Sequence, residues 1–409
     1  MRPLEEVRAH VLSSIGLLGT ERVDYRLALG RVLGEAIVST TDVPHFPNSG
    51  MDGFAVRSGD VTTPGAVLEV LEDVPAGQVA KQIVGQGQAI KIMTGAPMPG
   101  GADTVVRVEE TVEQNGSVTI QSIVGAGTSV RPAGGDVRAG DVVFEEGTRL
   151  GPMHLGVLAT VGSVSPLVYR RPRVAIMSTG DELVPADTVT LAPGMIRDSN
   201  RPMLAAMLAA DGVDVLDLGT VPDDVELLRA TLGRAAVEAD AIVTSGGVSM
   251  GDYDVTKIVL RDEAGIDFIS VAMKPGKPFA FGKLGGTPFF GLPGNPVSVL
   301  VSYEQFVRPS LLAMQGARLI LRPRVSAIAG EQLTTDIEKT VFVRVHVTLD
   351  RGRTVVTQSG GQASNVLSAA AYADAFAVVP RGVADVEPGE SVSIDLFRSP
   401  ETRGLEDDK

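Results

Sequence analysis

Residues 173–316 alternate short apolar runs with helical patterns, and this alternation constrains the fold more than any other feature of the sequence. Strands are predicted over 174–177, 213–218, 241–244 and 268–273; helices begin near residue 200 and cover 225–239; a hairpin over 279–291 leads into a helix over 297–314. Strands that alternate with helices favour a mostly parallel, doubly wound sheet with right-handed crossovers. Ligands bind such α/β sheets at the carboxyl ends of the strands.

Five predicted strand ends carry turns rich in glycine, proline and charge: STGDE (178–182), PDD (222–224), SGG (245–247), KPGKP (274–278) and LPGNP (292–296). The topology places all five at one edge of the sheet. Glycines allow the backbone to approach a ligand closely, and Lys274 and Lys277 provide point charges for phosphate or an oxyanion. Carboxylates that suit Mg²⁺ also gather there, namely Asp181, Glu182, Asp223 and Asp254. The sequence therefore predicts a ligand site with Mg²⁺ at this edge.

The turn after the third of these strands carries the strongest ligand signal. Residues 245–247 follow a buried strand, and a helical pattern resumes near Asp254, so free N–H groups are expected at a helix N-terminus. Ser249, Asp252 and Asp254 add hydroxyl and carboxylate oxygens, a combination that suits phosphate with a hard cation. A purely structural turn with N-capping aspartates is an equally open interpretation of this loop alone.

Residues 41–140 are rich in β-formers and punctuated by glycine, which predicts a small barrel or sandwich. This β-rich segment is inserted between two halves of a helical support. The helices of the support are predicted over 3–15, 25–34 and 151–162. Polar side chains stand at three junctions of the insertion: Asp52 in Met-Asp-Gly, Thr94 in Met-Thr-Gly and Asp136 in Gly-Gly-Asp. Each alone is typical of a turn, but the three together indicate the rim of a site.

A second β-rich module covers residues 317–400. Over 341–347 the valines alternate with Phe342, Arg344 and His346, so the two sets face opposite ways. An arginine on the face away from the valines is usually solvated, although Arg344 would also be able to reach an anion in a neighbouring cleft. A chain of 409 residues exceeds one ordinary core. The length therefore predicts two to four domains, and the patterns above divide the chain into 1–40 with 141–170, 41–140, 171–316 and 317–400.

Composition excludes several classes of function. The chain has no cysteine, which removes disulfides, thiolate metal sites and thiol nucleophiles. Its four histidines are far apart in sequence, which argues against a histidine-rich metal site. A net charge of −14 argues against nonspecific binding of nucleic acid. No apolar run is long enough to predict a membrane span, and the charged first segment lacks the pattern of a signal peptide, so we expect a cytoplasmic protein.

Six sequence blocks in a fixed order resemble the molybdopterin molybdenumtransferase family, which includes MoeA and the E domain of gephyrin. The blocks are PHFPNSGMDGFAVRSGD, IMTGAPMPGGADTVVRVEE, STGDEL, SGGVSMGDYDVTK, MKPGKPFAFGK and GLPGNPVSV. The resemblance implies a helical scaffold, a β-rich insertion, a molybdopterin-binding α/β domain and a C-terminal β-barrel. It also implies a homodimer whose cleft lies between the α/β domain of one subunit and the insertion of the other. The implied reaction converts adenylylated molybdopterin and molybdate, with Mg²⁺, into molybdenum cofactor and AMP.

The resemblance also implies roles for particular residues. The implied catalytic set is Asp52, Thr94, Asp136, Glu182, Asp223, Asp254 and Lys274, with Glu182, Asp223 and Asp254 as ligands of Mg²⁺. The predicted ligand-binding set is Ser178, Thr179, Gly180, Gly246, Gly247, Ser249, Lys274, Lys277, Pro293, Gly294, Asn295 and Arg344. A cleft serine of the family corresponds to Ser364 or Ser368. Ser270 stands where some members have a basic residue, which weakens one contact to molybdate.

Two other functions are compatible with the sequence. A gephyrin-like scaffold paralogue would bind a partner protein's peptide in a groove between the α/β domain and the barrel. A nucleotide-binding protein outside this pathway is the weaker alternative. The acidic and lysine residues at the strand ends favour the enzyme, because a pure scaffold does not need them.

Overall fold

The structure is a computed structural model that describes residues 1–248, 255–262, 265–350 and 352–399. Ser249, Asp252 and Asp254, which the sequence predicts to contribute to the site, lie outside the described residues. No helix within the described ranges has the length and apolar composition that crossing a lipid bilayer requires.

The N-terminal segment forms one helix, two short strands and a 3₁₀ turn: α1 (Leu4–Ser13), β1 (Thr20–Arg22), the turn Tyr25–Leu27 and β2 (Ile37–Val38). Leu4, Val7 and Val11 share one face of α1 and are buried in the core of the α/β domain. The helix predicted over 25–34 is wrong. Gly30 has a φ of 76°, and its N–H donates to the Leu150 carbonyl, so pairing with a distant segment replaces a helical turn.

The insertion is β-rich, as predicted, and its main element is one six-stranded sheet in the order β7-β4-β6-β5-β9-β8, to which the pair β3–β10 is added. Its strands are β3 (Asn48–Ser49), β4 (Gly53–Val56), β5 (Ala66–Val74), β6 (Gln88–Ile92), β7 (Thr104–Arg107), β8 (Thr111–Gln114), β9 (Ser117–Ile120) and β10 (Val130–Arg131). Phe54 and Val56 point into one apolar cluster and Ala55 into another, so both faces of β4 are covered.

The chain then returns to its first segment through β11 (Val142–Phe144), α2 (Pro152–Thr160) and β12 (Leu167–Tyr169). β11 pairs with β2 and β12 pairs with β1, so the segments on either side of the insertion form one scaffold around Leu33, Leu150 and Leu158. The helix predicted over 151–162 is confirmed by α2. The scaffold is nevertheless a mixture of short strand pairs with few helical turns, because glycine-containing loops pair across it where a second helix was predicted.

The third part is a doubly wound α/β domain, as predicted, with the sheet order β16-β13-β17-β21-β20-β18. Its elements are β13 (Arg173–Thr179), β14 (Leu183–Val184), β15 (Ile196–Arg197), α3 (Asn200–Ala210), β16 (Asp214–Val221), α4 (Val225–Glu238), β17 (Ala241–Ser245), α5 (Val255–Asp262), β18 (Ile266–Ser270), β19 (Met273–Lys274), β20 (Pro278–Leu284), β21 (Thr287–Leu292), α6 (Pro296–Ser302), a π-helical turn (Tyr303–Val307) and α7 (Arg308–Met314). β20 runs antiparallel to both of its neighbours, and the other five strands share one direction.

Helices cover both faces of this sheet. Val174 and Ile176 of β13 are buried with Leu204 of α3, whereas Ala175 and Met177 are buried with residues of α4. This burial on both faces explains why the strands read as continuous apolar runs. It also leaves the carboxyl ends of the five parallel strands as one open edge.

The C-terminal module is a closed five-stranded β-barrel, which confirms the predicted fold. Its elements are β22 (Arg324–Ala329), β23 (Thr340–Asp350), β24 (Arg353–Gln358), α8 (Leu367–Tyr372), β25 (Ala375–Val379) and β26 (Ser391–Leu396). The order β23-β24-β22-β26-β25 closes through pairing of β25 with β23. Val341, Val343 and Val345 fill the barrel, whereas Phe342 packs against the α/β core. β19 pairs with β23 and thereby joins the barrel to the α/β domain.

Candidate functional site

A cleft of about 380 Å³ opens at the carboxyl edge of the α/β sheet. Its lining comes from the loops after β13, β16, β17 and β21 and from the starts of β20 and α6. The lining residues are Thr179, Gly180, Glu182, Asp223, Gly246, Gly247, Pro278, Pro293, Gly294, Asn295 and Ser298. The parallel topology therefore brings together four of the five turns predicted from the sequence, and Pro278 ends the fifth.

Backbone conformation favours glycine at two positions of the cleft, and at Gly246 close approach of another backbone segment requires it as well. Gly180 has a φ of 141°, and a Cβ there would lie 2.3 Å from Glu182 Oε2. Gly246 has a φ of 92°, and a Cβ there would lie 2.8 Å from the Thr179 carbonyl oxygen. The loops after β13 and β17 therefore touch through backbone, which leaves peptide groups at the surface of the cleft.

Asn200, at the start of α3, holds two loops of the cleft in place. Its amide nitrogen donates to the Ser245 hydroxyl at 2.8 Å and to the Gly294 carbonyl at 2.6 Å. Sequence reasoning did not identify this residue. The available signal was a run of polar residues, 198–200, immediately before a helical pattern.

The buried Asp198 carboxylate lies beneath the cleft and accepts hydrogen bonds from Ser178 Oγ at 3.1 Å, Thr220 Oγ1 at 3.3 Å and Arg201 Nε at 3.0 Å. Ser178 is fully buried, so this predicted ligand contact does not line the cleft. Its position at the end of a central strand, with the side chain directed into the domain, explains the difference. Asp198 was also missed by the sequence analysis.

The cleft contains two of the predicted metal-binding carboxylates, Glu182 and Asp223. Asp181 has a different function, because its Oδ1 accepts the Asp223 backbone N–H at 3.0 Å and so positions that loop. Within the described part of the chain, no three histidine or acidic side chains form a metal-binding group. Two carboxylates nevertheless fit Mg²⁺, which commonly takes one or two protein carboxylates together with substrate phosphates and water.

The two lysines of the KPGKP loop are exposed and do not line the cleft. This loop packs on α6: a Cβ at Gly276 would lie 3.0 Å from Ser302 Oγ, and the φ of Gly276 is 102°. The next residue after Lys277 is the lining residue Pro278. Lys277 therefore stands beside the cleft, whereas Lys274 lies in β19, which pairs with the barrel strand β23.

Arg344 is fully buried, in contrast to the solvated position expected for its face of the strand. The loop 360–364 covers it: Arg344 Nη2 donates to the carbonyl oxygens of Gly361 at 2.5 Å and Ala363 at 3.2 Å. Burial lowers the pKa of the guanidinium. Its Nε and Nη1 atoms have no hydrogen-bond partner among the described residues. Arg344 thus holds the loop from beneath and does not line the cleft.

The same loop contacts the cleft through Ser364. Its hydroxyl accepts from Asn295 Nδ2 at 3.0 Å, and its carbonyl accepts the Val297 N–H at 3.0 Å. Ser368 lies in α8 and is exposed. Of the two serines left open by the sequence, Ser364 is therefore the one in contact with the cleft.

The insertion brings Asp52 and Thr94 together. Asp52 Oδ1 accepts from the Thr94 backbone N–H at 2.6 Å and from Thr94 Oγ1 at 2.7 Å, and these bonds lower the pKa of Asp52, the backbone bond most. Both side chains are exposed, as is Asp136. None of the three lines the cleft of its own chain.

Comparisons with known protein families cover the chain in three consecutive parts. Residues 2–162 match "MoeA N-terminal region (domain I and II)", residues 175–313 match "Probable molybdopterin binding domain" and residues 326–397 match "MoeA C-terminal region (domain IV)". Every lining residue of the cleft falls within the second match.

Individual proteins give the same result. A molybdopterin molybdenumtransferase of Haemophilus influenzae is 37% identical over 401 residues, which cover 97% of this chain and 99% of the relative. Molybdopterin molybdenumtransferase 2 of Mycobacterium tuberculosis is 39% identical over 404 residues, which cover 96% and 99%. The crystal structure of a molybdopterin biosynthesis moeA protein from Pyrococcus horikoshii matches with a TM-score of 0.83 at 29% identity, covering 97% of this chain and all of the other.

Proposed function

The chain belongs to the molybdopterin molybdenumtransferase family, and we propose that it inserts molybdenum into molybdopterin as a step of molybdenum cofactor biosynthesis. The substrates are adenylylated molybdopterin and molybdate, and the products are molybdenum cofactor and AMP. One observation carries the proposal: the cleft of backbone glycines and carboxylates at the sheet edge lies wholly within the part that matches a molybdopterin-binding domain.

Different residues in and around the cleft have different chemical roles in the proposed reaction. The peptide groups at Gly246 and Gly247 approach a phosphate without side-chain obstruction. Glu182 and Asp223 would hold Mg²⁺, which neutralises phosphate charge and polarises the bond to the leaving adenylyl group. Lys277, next to the lining residue Pro278, and Lys274, at the other end of the same loop, would attract molybdate by charge. Arg344 acts through the loop that it supports, which presents Ser364 to Asn295.

We further propose that two copies of the chain share each cleft. Asp52, Thr94 and Asp136 are exposed polar residues outside the cleft of their own chain, as expected if they complete the cleft of a partner. The scaffold provides an apolar surface for association: α2 has the sequence PMHLGVLAT but buries only Leu158, and Met153 is 83% exposed. A homodimer through the scaffold would cover this helix.

Reconstitution tests the reaction. Purified protein is mixed with adenylylated molybdopterin, molybdate and Mg²⁺, and the product is read out by activation of an apo-molybdoenzyme. We expect Asp223→Ala to abolish turnover and Asp187→Ala, an exposed acid outside the cleft, to retain it. Full turnover by Asp223→Ala, or none by the wild-type protein, would refute the assignment. Omission of Mg²⁺ should stop the reaction.

A mixing experiment tests the shared cleft. Asp52→Ala and Asp223→Ala are each inactive if both residues serve the same cleft from different subunits. A heterodimer of the two variants then contains one intact cleft, so random exchange should restore about a quarter of wild-type turnover. Absence of restoration in a sample that sediments as exchanged dimers would show that the two residues do not meet across subunits.

The alternatives receive less support. The curated relatives that cover nearly the whole chain are named transferases, so the gephyrin-like scaffold is not favoured, and we propose no protein partner beyond a second copy. A nucleotide-binding role outside this pathway explains neither the molybdopterin-binding match nor the two MoeA matches. We expect the reaction in the cytoplasm, because an adenylylated substrate is formed where nucleoside triphosphate is abundant.

A further inference from the structure

A second cavity, of about 470 Å³, lies between the scaffold and the linker that leads to the barrel. Its lining residues are Gly147, Thr148, Arg149, His154, Ala317, Arg318 and Leu319. It shares none of them with the cleft at the sheet edge. The lining contains two arginines and a histidine and no carboxylate, although the chain as a whole carries a net charge of −14. This basic cavity is therefore an exception to the charge of the molecule.

Arg149 is fixed in place but incompletely neutralised. Its Nε donates to the Gly30 carbonyl at 3.3 Å and its Nη2 to the Asp211 carbonyl at 3.2 Å. The Asp211 carboxylate lies 3.8 Å from Arg149 Nη1. That carboxylate is already bound more closely by Arg308 Nε at 3.1 Å and by the Tyr303 hydroxyl at 2.8 Å. Burial lowers the pKa of Arg149, and the Asp211 charge, which raises it, offsets this only in part.

Arg318 brings a second positive charge to the cavity. Its backbone N–H donates to the Gly147 carbonyl at 3.2 Å, and a Cβ at Gly147 would lie 2.6 Å from Arg318 Cγ, so its stem packs closely on the scaffold. Its exposed guanidinium forms no ion pair or hydrogen bond with any residue in the described ranges. The cavity thus has one arginine, Arg318, with no counter-charge among the described residues, and a second, Arg149, that shares the Asp211 carboxylate with Arg308.

His154 adds a neutral donor. Its Nδ1 accepts the Gly151 N–H at 3.1 Å, so the proton of the neutral ring resides on Nε2. The ring also packs against Phe144, with 4.8 Å between the ring centroids, which limits its rotation. An anion in the cavity would therefore meet a donor of fixed tautomer as well as two guanidinium groups.

We propose that this cavity binds a phosphate group, either as inorganic phosphate or as part of a small phosphorylated metabolite, between Arg149 and Arg318. Guanidinium groups match phosphate in planar, bidentate pairs, and an unpaired Arg318 together with an Arg149 that shares its counter-charge with Arg308 leaves net positive charge for a phosphate. The volume exceeds that of phosphate alone and lies in the range of small-molecule sites. Because Arg149 belongs to the scaffold and Arg318 to the linker, bound phosphate ties the barrel linker to the scaffold.

Calorimetric titration with inorganic phosphate, at constant ionic strength set with chloride, tests the proposal. The wild-type protein should bind phosphate, and Arg318→Ala should bind it at least about tenfold more weakly, because one charge-assisted contact is lost. Arg381→Ala, which removes an exposed arginine of the barrel, is the matched control and should bind like the wild type. Phosphate should also slow amide hydrogen exchange in residues 147–154 and 317–319 of the wild type.

Two results would overturn the proposal: no phosphate binding by the folded wild-type protein, or equal binding and equal protection in Arg318→Ala. Arg318→Ala removes an exposed side chain, so its fold should be retained, and unchanged thermal unfolding without phosphate checks this. AMP and adenosine distinguish the sources. Because AMP is also a proposed product of the cleft at the sheet edge, only the part of its binding that Arg318→Ala loses is compared. Tighter Arg318-dependent binding of AMP than of phosphate identifies a phosphorylated metabolite, and equal Arg318-dependent binding identifies free phosphate. Adenosine binding as tight as AMP binding, in a manner independent of Arg318, would contradict phosphate recognition.

Discussion

Replacement of Asn200 by alanine should weaken molybdopterin binding by loosening the rim of the cleft. The Asn200 amide joins Ser245, at the end of β17, to the Gly294 carbonyl, in the loop after β21, and these two strands are paired neighbours. Alanine is a good helix former at the start of α3, so the helix should persist while both hydrogen bonds are lost. The loop 293–295 would then have to be ordered by the ligand, at a cost in affinity.

The size of the effect follows from the surroundings of the two acceptors. One neutral hydrogen bond contributes about 1 kcal/mol net. Gly294 is exposed, so its carbonyl regains a bond to water, whereas Ser245 is only 3% exposed and its hydroxyl loses a partner. The two changes together should cost about 1–2 kcal/mol, which raises the Kd for molybdopterin by about five- to thirtyfold if all of it appears in binding.

Equilibrium dialysis against molybdopterin measures this change, with amide hydrogen exchange of residues 293–295 as a second readout. Asn200→Asp keeps the volume but removes the donor, so it should lose at least as much affinity as Asn200→Ala. Gln86→Ala, an exposed amide of the insertion, is the control. Wild-type affinity in Asn200→Ala together with unchanged exchange of the loop would refute the argument that this side chain holds the rim.

Three further predictions concern other parts of the site. Gly246→Ala should reduce molybdopterin affinity more than Gly286→Ala. Both glycines have φ above 90°, but only at position 246 would a Cβ lie against backbone, 2.8 Å from the Thr179 carbonyl oxygen. Equal affinities of the two variants in dialysis would show that this close approach does not shape the cleft. Thr94→Val should raise the lowered pKa of Asp52 only in part, because the backbone N–H of residue 94 still donates. The fold's stabilisation of the Asp52 carboxylate is present above its ordinary pKa and is lost as pH falls through the folded pKa, so in the variant this loss should be smaller and complete at higher pH. Identical carboxyl titrations by NMR would contradict it. Lys274→Ala should weaken molybdate binding by about two- to fivefold, as for the loss of one exposed charge, and the loss should depend strongly on salt concentration. Lys283→Ala, at the far end of β20, is the control and should bind molybdate like the wild type. Equal affinities of the two variants in titrations would show that Lys274 does not contribute to the site.

The sequence predicted the sheet edge because strand-helix alternation follows from local periodicity. Strands joined by helical crossovers run parallel, so the turns that follow β13, β16 and β17 fall at the same edge of the sheet. The positions of Thr179, Asp223 and Gly246 therefore required no knowledge of packing. The same logic failed for residues 25–34. There the propensity for a helix was overridden by pairing of Gly30 with Leu150, a contact between segments separated by the insertion.

The roles of Arg344 and Asn200 could not be predicted from the periodicity of the sequence, because both depend on contacts between distant loops. The alternation in β23 separates Arg344 from the valines, but it does not reveal that the loop 360–364 folds over that face and buries the guanidinium. Asn200 reads as an ordinary helix start until the loop after β21 is placed against it. Both roles arise from tertiary contacts between loops. In the proposed dimer, the relation of Asp52 to the cleft depends on a second copy of the chain, which no pattern within one chain specifies.

A crystal structure with bound molybdopterin tests the central claim most directly. The claim is that the carboxyl ends of the parallel strands form the substrate site, which is lined by glycine backbone and by the carboxylates of Glu182 and Asp223. Density for the pterin phosphate beside Gly246 and Gly247, within reach of those two carboxylates, is the predicted result. Ordered molybdopterin bound elsewhere on the molecule, with this cleft empty, would contradict the account.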